Sequence, residues 1–150
     1  MAGAADGEGR KYLNGQLAPG AVLEGSMTVT ETHLVLGAGL IGGFHPVHVD
    51  EQFAVAAGLR GRILHGALTA AIMSAVVGRN LPTSGWTIVE QSTRFRAPVY
   101  SGDTLQTRWT VQEPEALSQA RLLFTLKGEC KSQEQDVVAD GTVKLMLRAG

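Results

Sequence analysis

Three of the four histidines, His45, His48 and His65, fall between Gly39 and Gly66. An imidazole changes charge near neutral pH, so any of the three can accept or deliver a proton during a reaction. His48 sits two residues beyond Pro46, in a segment with little freedom to slide. It either moves a proton there or bonds to backbone and shapes the loop. His45 faces the same choice, weighted toward loop geometry because the residue before a proline is pushed toward an extended conformation. His65 stands at a helix start, where its ring can cap or pack as well as act. His33 has no other reactive group near it in sequence and reads as a surface residue.

Gly66 offers a different chemistry. The first amides of a helix have no intrahelical acceptor, and the helix dipole favours negative charge there. A carbonyl oxygen aimed at that end is stabilised as it gains charge; the plain alternative is a glycine chosen for close packing. Ser74, within an apolar helix, either touches a ligand or bonds back to its own helix. Asp50 invites pairing with His48, but its spacing to the following Glu51-Gln52-Phe53-Ala54 favours a helix N-cap. Glu90 and Gln91 are adjacent in a strand pattern, so only one of them can face a site. Arg94 and Arg96 suit either phosphates of a long carrier or a solvated sheet surface.

Several function classes are excluded. Thirteen basic against fourteen acidic residues give a net charge of -1, which provides no electrostatic footprint for nucleic acid or an anionic membrane surface. The single cysteine, Cys130, cannot form an internal disulfide and reads as a strand position. There is no Walker loop, no GxGxxG after a strand, no GxSxG and no HExxH. The histidine and cysteine spacings match no common zinc site, so no metal is expected. The N-terminus lacks a signal-peptide apolar core and no apolar run reaches bilayer length; a cytoplasmic protein is expected.

The elements that must position these residues follow from the apolar pattern. Residues 1–14 are small, polar and glycine-rich, and read as a flexible arm before a single domain over 15–150. Val22 to Val29 reads as a first strand. Thr30 caps a helix carrying Leu34, Ala38 and Ile41, which ends before Gly43. Pro46 makes the next segment a loop through which no helix runs. Asp50 then starts a short helix closed by Gly58, and His65 to Gly78 reads as a helix apolar on all sides and hence buried. Four strands follow with hairpin connections, separated by turns that include 113–119. The class is α+β: a curved antiparallel sheet wrapped around one central apolar helix at about 65–78.

Taken in order, GGFHPVHVDEQFA, GRILHGALT and FRAPVYSGD resemble the MaoC-like (R)-specific enoyl-CoA hydratases and dehydratases of the hot-dog fold, over a span from about Val22 to the C-terminus. The resemblance implies a homodimer that binds a coenzyme A or acyl-carrier thioester, with no cofactor beyond that carrier, and adds or removes water at the 2,3-position. It implies His48 as acid/base, the Gly66 amide as donor to the thioester oxygen, and His45, His65 and Ser74 at or near the site. The family's catalytic Asp falls on Gly43, and His45 replaces an Asn. With that carboxylate absent three outcomes are open: another group such as His45 takes its role, the site does one-base chemistry such as a double-bond shift, or the protein binds a thioester without turnover.

Overall fold

The computed structural model describes residues 12–13, 16–81 and 85–148. Of the arm expected over 1–14, only Tyr12–Leu13 lies within the described residues; it forms β1 and pairs with β2, Gln16–Leu17. The main sheet starts with β3, Val22–Thr28. Helix α1, Glu31–Ile41, follows. Its first turn is closed by His33, whose Nδ1 accepts from the Thr30 amide at 2.9 Å. Gly42 ends it at φ 68, a left-handed cap that costs a glycine nothing.

The segment after α1 departs from expectation. A loop was expected through Pro46, yet Pro46–Val49 forms a single helical turn, α2. Proline occupies its first position, where the missing amide would have had no partner and the fixed φ already suits a helix. His45 before it is extended, at φ -60 and ψ 136, as a pre-proline residue should be. Helix α3, Glu51–Ala56, is capped by Asp50, whose Oδ1 accepts from Phe53 N at 3.0 Å. Helix α4, Gly66–Arg79, is the long one.

The remaining strands are β4 Trp86–Phe95, β5 Thr104–Val111, β6 Glu115–Ser118, β7 Arg121–Lys131 and β8 Val137–Arg148. The stretch read as a turn at 113–119 thus contains the short strand β6, paired to β7. All pairings are antiparallel, in the order β3-β5-β7-β8-β4. The hairpin expectation holds for β5-β7 and β7-β8 but fails for β4 and β5. Strand β4 crosses to the far edge beside β8, while β5 lies beside β3. The apolar pattern that identifies a strand leaves its neighbour undetermined, which is how this connection escaped.

Helix α4 lies on the inner face of the sheet through Thr69, Met73, Val76 and Val77. Trp109 is fully buried, and its indole Nε1 donates to the Met73 carbonyl at 3.0 Å, tying β5 to the helix. The core is completed by Leu23, Leu105, Phe124, Leu126, Val143 and Leu145. Only one face of α4 is covered, contrary to a helix buried all round: Ala67, Ala71 and Ala75 are exposed. Toward α1 the helix borders an apolar groove of about 480 Å³ lined by Leu36, Leu40, Leu68 and Ile72. No helix among the described residues is long and apolar enough to cross a membrane.

Candidate functional site

The α2 turn and the start of α4 bring His48 and His65 together. Their rings stack with centroids 3.8 Å apart and planes 26° from parallel. His48 Nδ1 lies 2.8 Å from the Ile63 carbonyl oxygen. A carbonyl only accepts, so Nδ1 carries the hydrogen and Nε2 keeps a lone pair. The same junction is pinned by the Ile63 amide, which donates to Val47 O at 3.0 Å. The half-buried His48 is thus held by one nitrogen, and the other has no partner among the described residues.

His65 is 4% exposed. Its Nε2 donates to the Gly43 carbonyl at 2.6 Å, while Nδ1 is buried with no hydrogen-bond partner among the described residues. Gly43 shapes this contact. A Cβ there would lie 2.7 Å from His65 Cδ2 and 2.8 Å from Nε2. The imidazole therefore occupies the space into which a side chain at 43 would project.

His45 is exposed and caps α2, its Nδ1 accepting from Val47 N at 3.4 Å. Its ring meets His48 edge-on at 6.4 Å and Phe53 at 6.1 Å. Nearby carboxylates are engaged elsewhere: Asp50 caps α3, and Glu51 accepts from Arg62 N at 3.1 Å and Nε at 3.3 Å. Among the described residues no carboxylate bonds to His48.

Burial is the largest influence on His48 and pushes its pKa below the ordinary imidazole value. The hydrogen bond to Ile63 opposes this, and His65 and His45 reinforce it by repelling a second positive charge. His48 is accordingly neutral at pH 7, with Nε2 available as a base.

At the start of α4, Leu68 N and Thr69 N both donate to the His65 carbonyl, at 3.0 and 3.1 Å. The Gly66 and Ala67 amides precede these first helical bonds and stay available to a ligand. Gly66 is half-buried, and a Cβ on it would lie 3.0 Å from the Phe95 ring. One turn on, Gln91 Nε2 donates to Ala70 O at 2.8 Å, whereas Glu90 on the opposite sheet face accepts from Lys144 at 2.9 Å. The structure thus groups His48, His65, Gly43 and Gly66, with His45 at the rim. Ser74, half-buried, is eight residues along α4 from Gly66, a helical rise of about 12 Å. Arg96 pairs with Asp140 at 2.5 Å, and Arg94 shares its sheet face.

Two members of the site were not anticipated. The Ile63 carbonyl is backbone, which no residue type announces. Phe95 opens a stretch noted for other residues, and only the strand pairing puts it over Gly66. Among the described residues no three His, Cys, Asp or Glu side chains converge as a metal site would need.

Comparisons with known proteins agree with this architecture. The MaoC like domain family matches residues 16–129. The chain is 36% identical over 122 residues to the (R)-specific enoyl-CoA hydratase of Rhodospirillum rubrum, covering 81% of this chain and 82% of the relative. It is 36% identical over 115 residues to the 3-hydroxybutyryl-CoA dehydratase of Methylorubrum extorquens, covering 75% and 69%. Among solved structures, the unliganded R-hydratase of Pseudomonas aeruginosa superposes with a TM-score of 0.75 at 30% identity, over 90% of this chain and 84% of that one. The (R)-hydratase of A. caviae gives 0.76 at 26% identity, over 89% and 98%.

Proposed function

The chain belongs to the MaoC-like domain family, and from that premise we propose that it adds water to, or removes it from, the 2,3-position of an acyl thioester, with His48 as the acid/base. The observation that carries this reading is the free Nε2 of a neutral imidazole at the start of a helix with open amides. In the hydration direction the thioester oxygen accepts a hydrogen bond from Gly66 N. His48 Nε2 takes a proton from a water whose oxygen bonds to C3. The electron pair of the double bond moves toward the thioester oxygen, where the Gly66 amide and the α4 dipole stabilise the growing charge. Protonated His48 then returns the proton to C2, and the thioester carbonyl re-forms. Dehydration runs the same steps backward. Coenzyme A or a carrier's phosphopantetheine enters as part of the substrate, and the chemistry calls for no resident cofactor. Ser74, about 12 Å further along α4 than Gly66, is assigned to the more distant acyl chain.

The working unit in this reading is a homodimer joined at β4. That strand is one edge of the sheet, ten residues long, and carries exposed Ile88, Val89 and Phe95; an edge of this length is a ready template for a second strand. The compartment proposed is the cytoplasm.

Gly43 supports a second reading, a thioester-binding subunit that performs no turnover, because among the described residues no carboxylate helps His48 hold the water. Both readings meet in one experiment: wild type and Gly43→Asp are offered a panel of enoyl thioesters on coenzyme A and on a carrier protein, with loss of enoyl absorbance followed and products identified by chromatography. Hydrated product from wild type supports the enzyme. Binding without product from wild type supports the second reading, and any hydration gained in Gly43→Asp would require the His65 ring to give way to the new side chain. Neither binding nor turnover by either form removes both.

A further inference from the structure

We propose that His65 is the positioning residue of the site: by filling the space beside Gly43, donating to the Gly43 carbonyl and stacking on His48, it fixes the plane of the base and directs its free Nε2. This rests on the reading of His48 as the base and adds a role for the pair Gly43 and His65.

Three observations converge. The first is complementarity of shape. Any side chain on residue 43 starts with a Cβ within 2.8 Å of two His65 ring atoms, and well-packed neighbours do not approach so closely. In this chain the His65 imidazole fills the space that glycine leaves at 43. The second is the hydrogen bond. At 2.6 Å to Gly43 O it is the one polar tether of the His65 ring, since Nδ1 has no partner among the described residues. It also ties the α1–α2 connection to the start of α4, and turning the ring would break that tie. The third is the stack. With centroids 3.8 Å apart, the His65 face leaves His48 no room to tip toward α4, while Ile63 O holds Nδ1. One hydrogen bond and one face together fix an imidazole plane that a hydrogen bond alone leaves free to rotate about its own axis.

His65 is distinct from a second acid/base. Its Nε2 is consumed by a carbonyl and its Nδ1 is sealed from solvent, so neither nitrogen reaches a substrate. The charged or titratable groups around His48 are His65 from the α4 cap, His45 from the α2 cap, Asp50 held by Phe53 N, and Glu51 held by Arg62. Of these, His65 is the one in face-to-face contact.

The test uses the full chain and needs no substrate for its first arm. Long-range nitrogen–proton NMR reads the tautomer and titration of His48 in wild type, His65→Gln and His65→Ala. Wild type is expected to show Nδ1–H on His48. Both variants, having lost the second imidazole, are expected to move the His48 titration upward, and His65→Ala to lose the single fixed tautomer. His65→Gln preserves a donor toward Gly43 and, if the alanine variant does not fold, carries the measurement alone. An unchanged His48 titration in the folded variants overturns the proposal. The second arm is a double-mutant cycle on turnover. Gly43→Ala is expected to cost about 10²-fold in kcat by displacing the base, and to cost nothing further once His65 is alanine. Additive losses overturn it. Absence of turnover on every thioester overturns the hydratase reading instead, and the NMR arm still decides the role of His65.

Discussion

Asp103 and His48 both come from the stretches that carry the family resemblance, and they end in opposite states. The Asp103 carboxylate is 6% exposed and spent on structure: Oδ2 accepts from Tyr100 N at 2.9 Å, and Oδ1 from Gln133 Nε2 at 3.3 Å and Arg60 at 3.5 Å. His48 spends one nitrogen on Ile63 O and keeps the other. A buried polar group with every partner satisfied holds a turn together; a half-buried one with unused capacity can do chemistry. What separates them is unspent hydrogen-bonding capacity, and motif membership alone does not reveal it.

The contrast breaks if removing spare capacity harms folding, or removing spent capacity harms only catalysis. The sharpest version is Gly66→Pro. Position 66 is the first residue of α4, where proline is accommodated, and His65 already has the extended backbone that a following proline requires. The substitution deletes one amide hydrogen and adds a Cβ that would lie 3.0 Å from the Phe95 ring. It is expected to lower kcat by about 10² to 10³, as loss of one oxyanion donor does, with helix content by circular dichroism unchanged. Gly66→Ala, which keeps the amide, is the control.

Asp103→Ala should do the reverse. It leaves the Tyr100 amide and the Gln133 side chain without their acceptor, and costs about 1–3 kcal/mol of stability, read as a lower urea midpoint at constant slope. Activity per folded molecule should stay within about twofold of wild type.

A smaller effect concerns pH. Burial, the leading cause, holds the His48 pKa below about 6.5, so kcat/KM should rise with pH to a plateau with its midpoint below that value. The sign for stability agrees. Below about 6.5 the unfolded chain takes up the proton before the folded one does, so folding loses stability as pH falls toward the folded pKa. A midpoint above 6.5 would place the essential base elsewhere or in a solvated setting.

Local features were legible in the sequence. Thr30, Leu34 and Ala38 place α1 because capping and a repeat of four residues act within one element, and Asp50 caps α3 for the same reason. Alternation along Leu105, Thr107, Trp109 and Val111 identified the buried face of β5. Pairing was less legible: β4 lies at the far edge because tertiary packing, absent from its own pattern, decides its neighbour. Pro46 misled because its position in a helix matters more than its presence. At the candidate site, residue type and spacing left His48 and Gly66 open between structural and chemical roles, and the family resemblance singled them out. The Ile63 carbonyl, which selects the His48 tautomer, belongs to the backbone. The fit between Gly43 and His65 depends on a distance across two elements, and no single position in the sequence records it.

The central claim is that His48 moves the proton at an acyl thioester, and His48→Ala tests it most directly. Wild type and variant are compared on a short enoyl-CoA, with loss of enoyl absorbance followed at saturating substrate and equal folded concentration. The account predicts a fall in kcat of about 10² to 10⁴ per folded molecule, with the urea midpoint lowered only by the loss of the Ile63 bond and the His65 stack. Equal turnover by the two proteins would contradict it.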